Sequence, residues 1–157
     1  MSYIDIINDD LLTTDIQYIA HQCNCCSTRS AHLAKNVFQK FPYADAYSKR
    51  KCPDKMGTIQ VCGNGDDKRY VINMFGQYFP GEVKYLNGTR DNYKLRENAF
   101  KNCLSHITKI DGLKEIAFPY KIGCGAAGGN WEKYLNMIEE FANEVLFYTD
   151  VYVLKKE

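Results

Sequence analysis

The chain has 157 residues, 45% of them hydrophobic, and a formal net charge of +1. That length suits a single domain over residues 1–157 with a proper core, and the balanced charge gives no general pull towards nucleic acid or an anionic membrane. The longest apolar runs are too short for a bilayer, Met1–Thr14 carries acids where a signal peptide needs bases, and seven cysteines without a disulfide rhythm read as reduced thiols, so the expected location is cytoplasmic, or the host cytoplasm for a viral protein.

In chain order, Tyr3–Ile7 reads as a short strand ending at Asn8-Asp9-Asp10. Ile16–Cys23 is a second, and its continuous apolar stretch Tyr18-Ile19-Ala20 suits a strand buried on both faces of a parallel sheet. Asn24–Arg29 is a polar loop, after which Ser30 is the expected N-cap of a helix with Leu33, Ala34, Val37, Phe38 and Phe41 as its buried stripe and Pro42 as its stop. Tyr43–Arg50 is expected as a short second helix, and the basic run Lys49-Arg50-Lys51 as a solvated face. Gly57–Cys62 and Arg69–Phe75 form a hairpin about the turn Gly63–Asp67. Gly76–Gly88, with Pro80 and aromatics but no period, is a surface loop. Asp91 is the expected cap of a helix from Asn92 to about Ile107, Leu113–Phe118 is a strand, Trp131–Asn143 a helix, and Val151–Leu154 the last strand. The expected fold class is α/β, a mixed sheet with helices on both faces.

Pro119-Tyr120-Lys121-Ile122-Gly123-Cys124-Gly125-Ala126-Ala127-Gly128-Gly129 sits between a strand and a helix and holds four glycines in seven residues. Glycines there let the backbone approach an anion closely, and the helix start favours negative charge, so the loop reads as a phosphate cradle. Gly123-x-Gly125-x-x-Gly128 matches the dinucleotide fingerprint in form, but the 29 residues after Gly128 leave room for one helix and one strand, without the acidic strand end that fingerprint needs. A Walker loop is excluded because no Gly-Lys-Ser/Thr follows.

A second polar loop is expected at a neighbouring strand end. Ile19-Ala20-His21-Gln22-Cys23-Asn24 supplies it: His21 suits proton transfer near neutral pH, and Asn24 suits sugar hydroxyls through its paired donor and acceptor. Cys23-x-Cys25-Cys26 beside His21 has no second cysteine pair to complete a zinc set, so neither metal nor cofactor is expected.

These residues bring the chain close to a known family. Pro119 to Trp131, with Asp10-Leu11-Leu12, Ile19–Asn24 and Asn73-Met74-Phe75-Gly76-Gln77, resembles the macro domain, an ADP-ribose-binding module, and within it small microbial and phage proteins related to ADP-ribose-1''-phosphate phosphatases. The resemblance spans the chain and implies a three-layer α/β/α fold with a mixed sheet of about six strands. It implies Asp10 on the adenine amino group, with Leu11 beside it, Asn24 on the distal ribose, and Ser30 and Ala31 on the facing loop. Phe75 and Tyr120 would be aromatic walls, and Ile122, Gly123, Cys124, Gly125, Ala126, Ala127 and Gly128 would wrap the diphosphate. His21 falls where the phosphatase-like branch has histidine, as base, nucleophile or acid.

The chain also departs from the pattern. The loop before the first helix reads Cys26-Ser27-Thr28-Arg29-Ser30-Ala31-His32-Leu33 where the family is glycine-rich, which turns Arg29 or His32 towards a terminal phosphate. Asn130 replaces a common aspartate. Phe75-Gly76-Gln77 lacks the lysine, and Ala127 the aspartate, of the de-ADP-ribosylating branch. The implied ligand is ADP-ribose or ADP-ribose 1''-phosphate, with ADP-ribosylated macromolecules as alternative partners and no membrane or direct nucleic-acid contact.

Overall fold

A computed structural model describes residues 2–157. Its strands are β1 (Asp5–Ile7), β2 (Tyr18–Asn24), β3 (Ile59–Cys62), β4 (Tyr70–Gln77), β5 (Glu115–Pro119) and β6 (Asp150–Leu154). Its helices are α1 (His32–Lys40), α2 (Tyr93–Ile107) and α3 (Trp131–Glu144). The strands form one mixed sheet in the order β1-β6-β5-β2-β4-β3, parallel except for the edge strand β3, which closes the β3–β4 hairpin. This is the expected fold class, with six strands.

The apolar residues divide into two layers. Tyr18, Ala20, Ile72, Met74, Ile116 and Phe118 pack against Phe100, Leu104 and Ile107 of α2 and Tyr134, Ile138 and Phe141 of α3. Ile19, Cys23, Val71, Phe75 and Ala117 pack on the other face against Val37 and Phe38 of α1, with Phe41 and Tyr47. The central strands are therefore buried on both sides, as a parallel sheet between helix layers requires. After β2 the chain crosses the α1 face towards β3 and β4; after β5 it crosses the opposite face through α3 to β6. The two connections part between β2 and β5, where open α/β sheets leave a crevice at the strand carboxyl ends.

Four local expectations are corrected. The N-cap of α1 is Ala31, not Ser30, and no side chain caps that helix. Asp91 does not cap α2: Asn92 does, accepting from the Leu95 N–H at 2.8 Å, while Asp91 turns inwards to Arg96. Tyr43–Arg50 is not a second helix beyond a single 3-10 turn at Pro42–Ala44, because the Asp45 carboxylate captures the amides of Tyr47 and Ser48 in an alternative turn. The arginine of the basic run is not solvated either: the Arg50 side chain is buried, lies over the Tyr47 ring at 4.8 Å, and donates to the Asn24 and Ser27 carbonyls.

Candidate ligand-binding cleft

The carboxyl ends of β2, β4 and β5 open onto a cleft of about 320 Å³. Gln22, Asn24 and Gln77 enter it from the strand ends, Arg29 and Ala31–Ala34 from the start of α1, and Pro119–Gly123 and Gly125–Ala127 from the glycine loop. Tyr47, Pro80 and Gly81 complete the lining. The lining includes two full cations, Arg29 and Lys121, and no carboxylate among the described residues.

The glycine loop is held open by its own turns. The N–H groups of Ile122, Cys124, Gly128 and Gly129 donate to carbonyls within the loop, whereas those of Gly123, Gly125, Ala126 and Ala127 take no partner among the described residues. All four of those unpaired donors belong to cleft-lining residues. Gly123 (φ 74°) and Gly128 (φ 78°) have left-handed backbones, which glycine adopts freely. Across the cleft, α1 begins without a capping side chain, so its first N–H groups are also free for an anion.

Asn24 is oriented by its neighbours. Its Oδ1 accepts from the Ser27 N–H at 2.8 Å and the Cys26 N–H at 3.2 Å, which fixes the amide so that Nδ2, without a partner among the described residues, is the group left for a ligand. Gln22 Nε2 donates to Gln77 Oε1 at 2.8 Å, and Gln77 Nε2 donates to the Phe79 carbonyl at 2.9 Å. A side chain on Gly76 would place its Cβ 2.4 Å from Gln22 Oε1, so glycine there makes room for this amide chain.

Arg96, only 1% exposed, ties the two sides together. Nε and Nη2 grip the Asp91 carboxylate at 2.6 and 2.8 Å, Nη1 donates to the Gly81 and Ala127 carbonyls, and Nη2 to that of Phe79. The guanidinium therefore joins the loop after β4 to the glycine loop, with every donor used.

His21 lies on the opposite parity of β2 and is 1% exposed. Its ring packs edge-on to Phe38 in the α1 layer, and Nε2 lies 2.5 Å from Asn73 Oδ1. Asn73 Nδ2 donates to the Ala44 carbonyl and Gln60 Oε1, so Oδ1 is the acceptor and the imidazole carries its proton on Nε2. Burial pulls its pKa down to about 4. The folded state thus holds His21 neutral while the unfolded chain takes up a proton below the ordinary value of 6.5. Stability from this group is present above that value and is lost as pH falls from there towards 4, at about 1.4 kcal/mol per pH unit. Thermal denaturation should show a midpoint falling through that window, and a much flatter profile for His21→Gln; equal slopes for the two proteins would refute the account.

A scan against protein-family models returns no match, and a search of curated proteins returns none. Solved structures do match. The macrodomain of Thermus aquaticus DarG aligns at a TM-score of 0.69 and 20% identity, covering 97% of each chain. The macrodomain of Mycobacterium tuberculosis DarG aligns at 0.75 and 17%, covering 98% of each. The chain has the macrodomain fold. A Trypanosoma brucei macrodomain in complex with ADP-ribose aligns at 0.65 and 13%, covering 97% of this chain and 62% of that one.

Within this fold, the cleft brings together Asn24, Ala31, Tyr120, Ile122, Gly123, Gly125, Ala126 and Ala127 from the expected site. The others lie off it. His21 is in the α1-side core, and Phe75 is buried there under Arg50 rather than forming a wall. Leu11 is a core residue, and Ser30, Cys124 and Gly128 fall outside the lining. Cys124 donates its thiol to the Ile122 carbonyl, and burial pushes its pKa up to about 12. Asp10 is outside the lining too; the Leu12 N–H and the Lys156 ammonium, 3.0 Å away, hold its carboxyl below the usual range. Sequence reasoning gave no role to Gln22, Gln77, Arg50 or Arg96. The first two stood inside quoted motifs, and Arg50 in the basic run, but Arg96 in mid-helix gave no signal.

Proposed function

We propose that this protein binds ADP-ribose in the cleft and hydrolyses ADP-ribose 1''-phosphate to ADP-ribose and phosphate. The observation that carries the reading is the set of unpaired N–H groups at Gly123, Gly125, Ala126 and Ala127 in a cleft lined by cations and no carboxylate. Such a set matches a diphosphate, whose oxygens need several fixed donors and tolerate no nearby acid. The Asn24 amide faces the distal ribose, and Arg29 with the uncapped start of α1 draws a phosphate carried by that ribose. Preorganised donors of this kind lower the barrier by holding the ester in place and stabilising charge as it develops.

Non-catalytic reading of ADP-ribose is the alternative, favoured by the burial of His21 away from the cleft. Calorimetry with ADP-ribose tests the first clause, and absence of heat across the micromolar to millimolar range would reject it. Phosphorus NMR of ADP-ribose 1''-phosphate tests the second: growth of inorganic phosphate supports turnover, and unchanged substrate that binds leaves a reader. Release of free ADP-ribose from a modified protein or nucleic acid instead would make the substrate a macromolecule. A cytoplasmic location is part of the proposal, supported by seven cysteines that are all free thiols.

The bare start of α1 makes a separate prediction. Ala31→Asp supplies the missing cap and should raise stability by about 1 kcal/mol, a rise of roughly 2–4 °C in the thermal midpoint. The same carboxylate stands in the cleft and repels the ligand, so ADP-ribose affinity should fall at least tenfold. A variant that gains stability and keeps affinity would show that α1 does not face the anion.

A further inference from the structure

His32 is the first residue of α1 and has φ 54°, a left-handed backbone. Among the described residues only Lys68 and Lys121 share that feature without being glycine. Glycine adopts the conformation without steric penalty, and any side chain pays for it through its Cβ. Nothing in the fold rewards the imidazole: its side chain is exposed and makes no hydrogen bond among the described residues. Yet it lines the cleft beside Arg29, and it is the one imidazole that does. Strained backbones of this kind gather where a side chain has work to do on a ligand.

We infer that His32, rather than His21, is the catalytic acid of the proposed phosphatase reaction. The assignment rests on that reading of the cleft and adds the residue that moves the proton. Imidazolium at position 32 faces the ester that joins the distal ribose to its phosphate. Water attacks phosphorus with a lone pair, the bond between phosphorus and O1'' breaks, and its electron pair goes to O1''. His32 gives its proton to that oxygen, so ADP-ribose leaves neutral at O1'' and phosphate leaves as the dihydrogen ion. One proton of that ion then returns to the imidazole, and the acid is restored. The other titratable or charged groups lining the cleft are Arg29 on the same loop, Tyr47 beyond the 3-10 turn, and Tyr120 and Lys121 on the glycine loop. The arginine and lysine hold the dianionic ester, while the imidazole is the group that gives up a proton and takes it back.

The test compares wild type with His32→Gly and His32→Gln on ADP-ribose 1''-phosphate, with thermal midpoints and ADP-ribose affinity measured on the same preparations. Glycine suits the backbone at this position, so His32→Gly should melt no lower than wild type and still bind ADP-ribose, which lacks the ester. Both variants should lose about a hundredfold in kcat, the usual contribution of a positioned acid, and should lose the alkaline fall of the wild-type rate profile. If wild type turns over and either variant stays within threefold of it with the profile intact, the assignment to His32 is wrong and the phosphatase reading survives. If wild type binds ADP-ribose but releases no phosphate, the phosphatase reading falls and takes the assignment with it.

Discussion

Arg96→Met should lower the thermal midpoint by about 10 °C or more and abolish measurable ADP-ribose binding. The pair with Asp91 is buried on both sides, so removing the guanidinium leaves a carboxylate with no counter-charge, a loss of about 3–5 kcal/mol. The Ala127 carbonyl loses its donor at the same time, and those of Phe79 and Gly81 are left with Gln77 Nε2 alone. A double replacement, Arg96→Met with Asp91→Leu, separates the two effects. It should recover much of the stability, since an apolar pair can replace a buried ion pair, but little of the affinity, because the loop after β4 and the glycine loop are no longer joined. Circular dichroism melts and calorimetry read both quantities. A single variant that melts like wild type would show that Arg96 holds nothing together.

Gly123→Ala should be the most damaging one-atom change in the cleft. The added Cβ would sit 2.7 Å from Tyr134 Cε2 and 3.1 Å from Gln22 Oε1, on a backbone at φ 74°. Tyr134 is itself buried in the α2–α3 layer and has no room to withdraw. Both the midpoint and the affinity for ADP-ribose should drop, the affinity by thirtyfold or more. Gly125→Ala is the control from the same loop: its Cβ would meet nothing within 4 Å, and its φ is not left-handed. That variant should melt as wild type does and lose affinity only by crowding the ligand. Were the two to behave alike, the distinction between a packed turn and an open cradle would be wrong.

The glycine loop was legible in the sequence because its requirement is conformational. A backbone that must go left-handed at Gly123 and Gly128 writes glycine into the chain. The layers were legible for a similar reason, since apolar residues at helical spacing leave few places for α2 and α3 to pack. The parity of β2 was not. In a strand covered on both faces, His21 and Gln22 are each polar among apolar neighbours, and nothing local says which side opens to the cleft. Only the pairing with β4 places His21 opposite Asn73, whose amide is already engaged by Ala44 and Gln60. Phe75 was misread for the same cause. Arg96 was invisible because its partners, Phe79, Gly81, Asp91 and Ala127, converge only in three dimensions.

The Arg96 network also bears on how the protein responds when its cleft is filled. Nearly all the residues that meet there come from three stretches far apart in the chain: the end of β2 with the start of α1, the end of β4 with the loop after it, and the loop after β5. No fragment carries all three, so the site exists only in the completed fold, and a ligand that binds it binds no unfolded form. By mass action, each tenfold excess over the dissociation constant then adds about 1.4 kcal/mol to the free energy of unfolding. Because one buried guanidinium bridges two of the stretches, that added resistance spreads beyond the cleft into α2. Amides of α2 far from any ligand atom should exchange their hydrogens more slowly when the cleft is occupied, so that occupancy of a surface site is read out in the interior of the molecule.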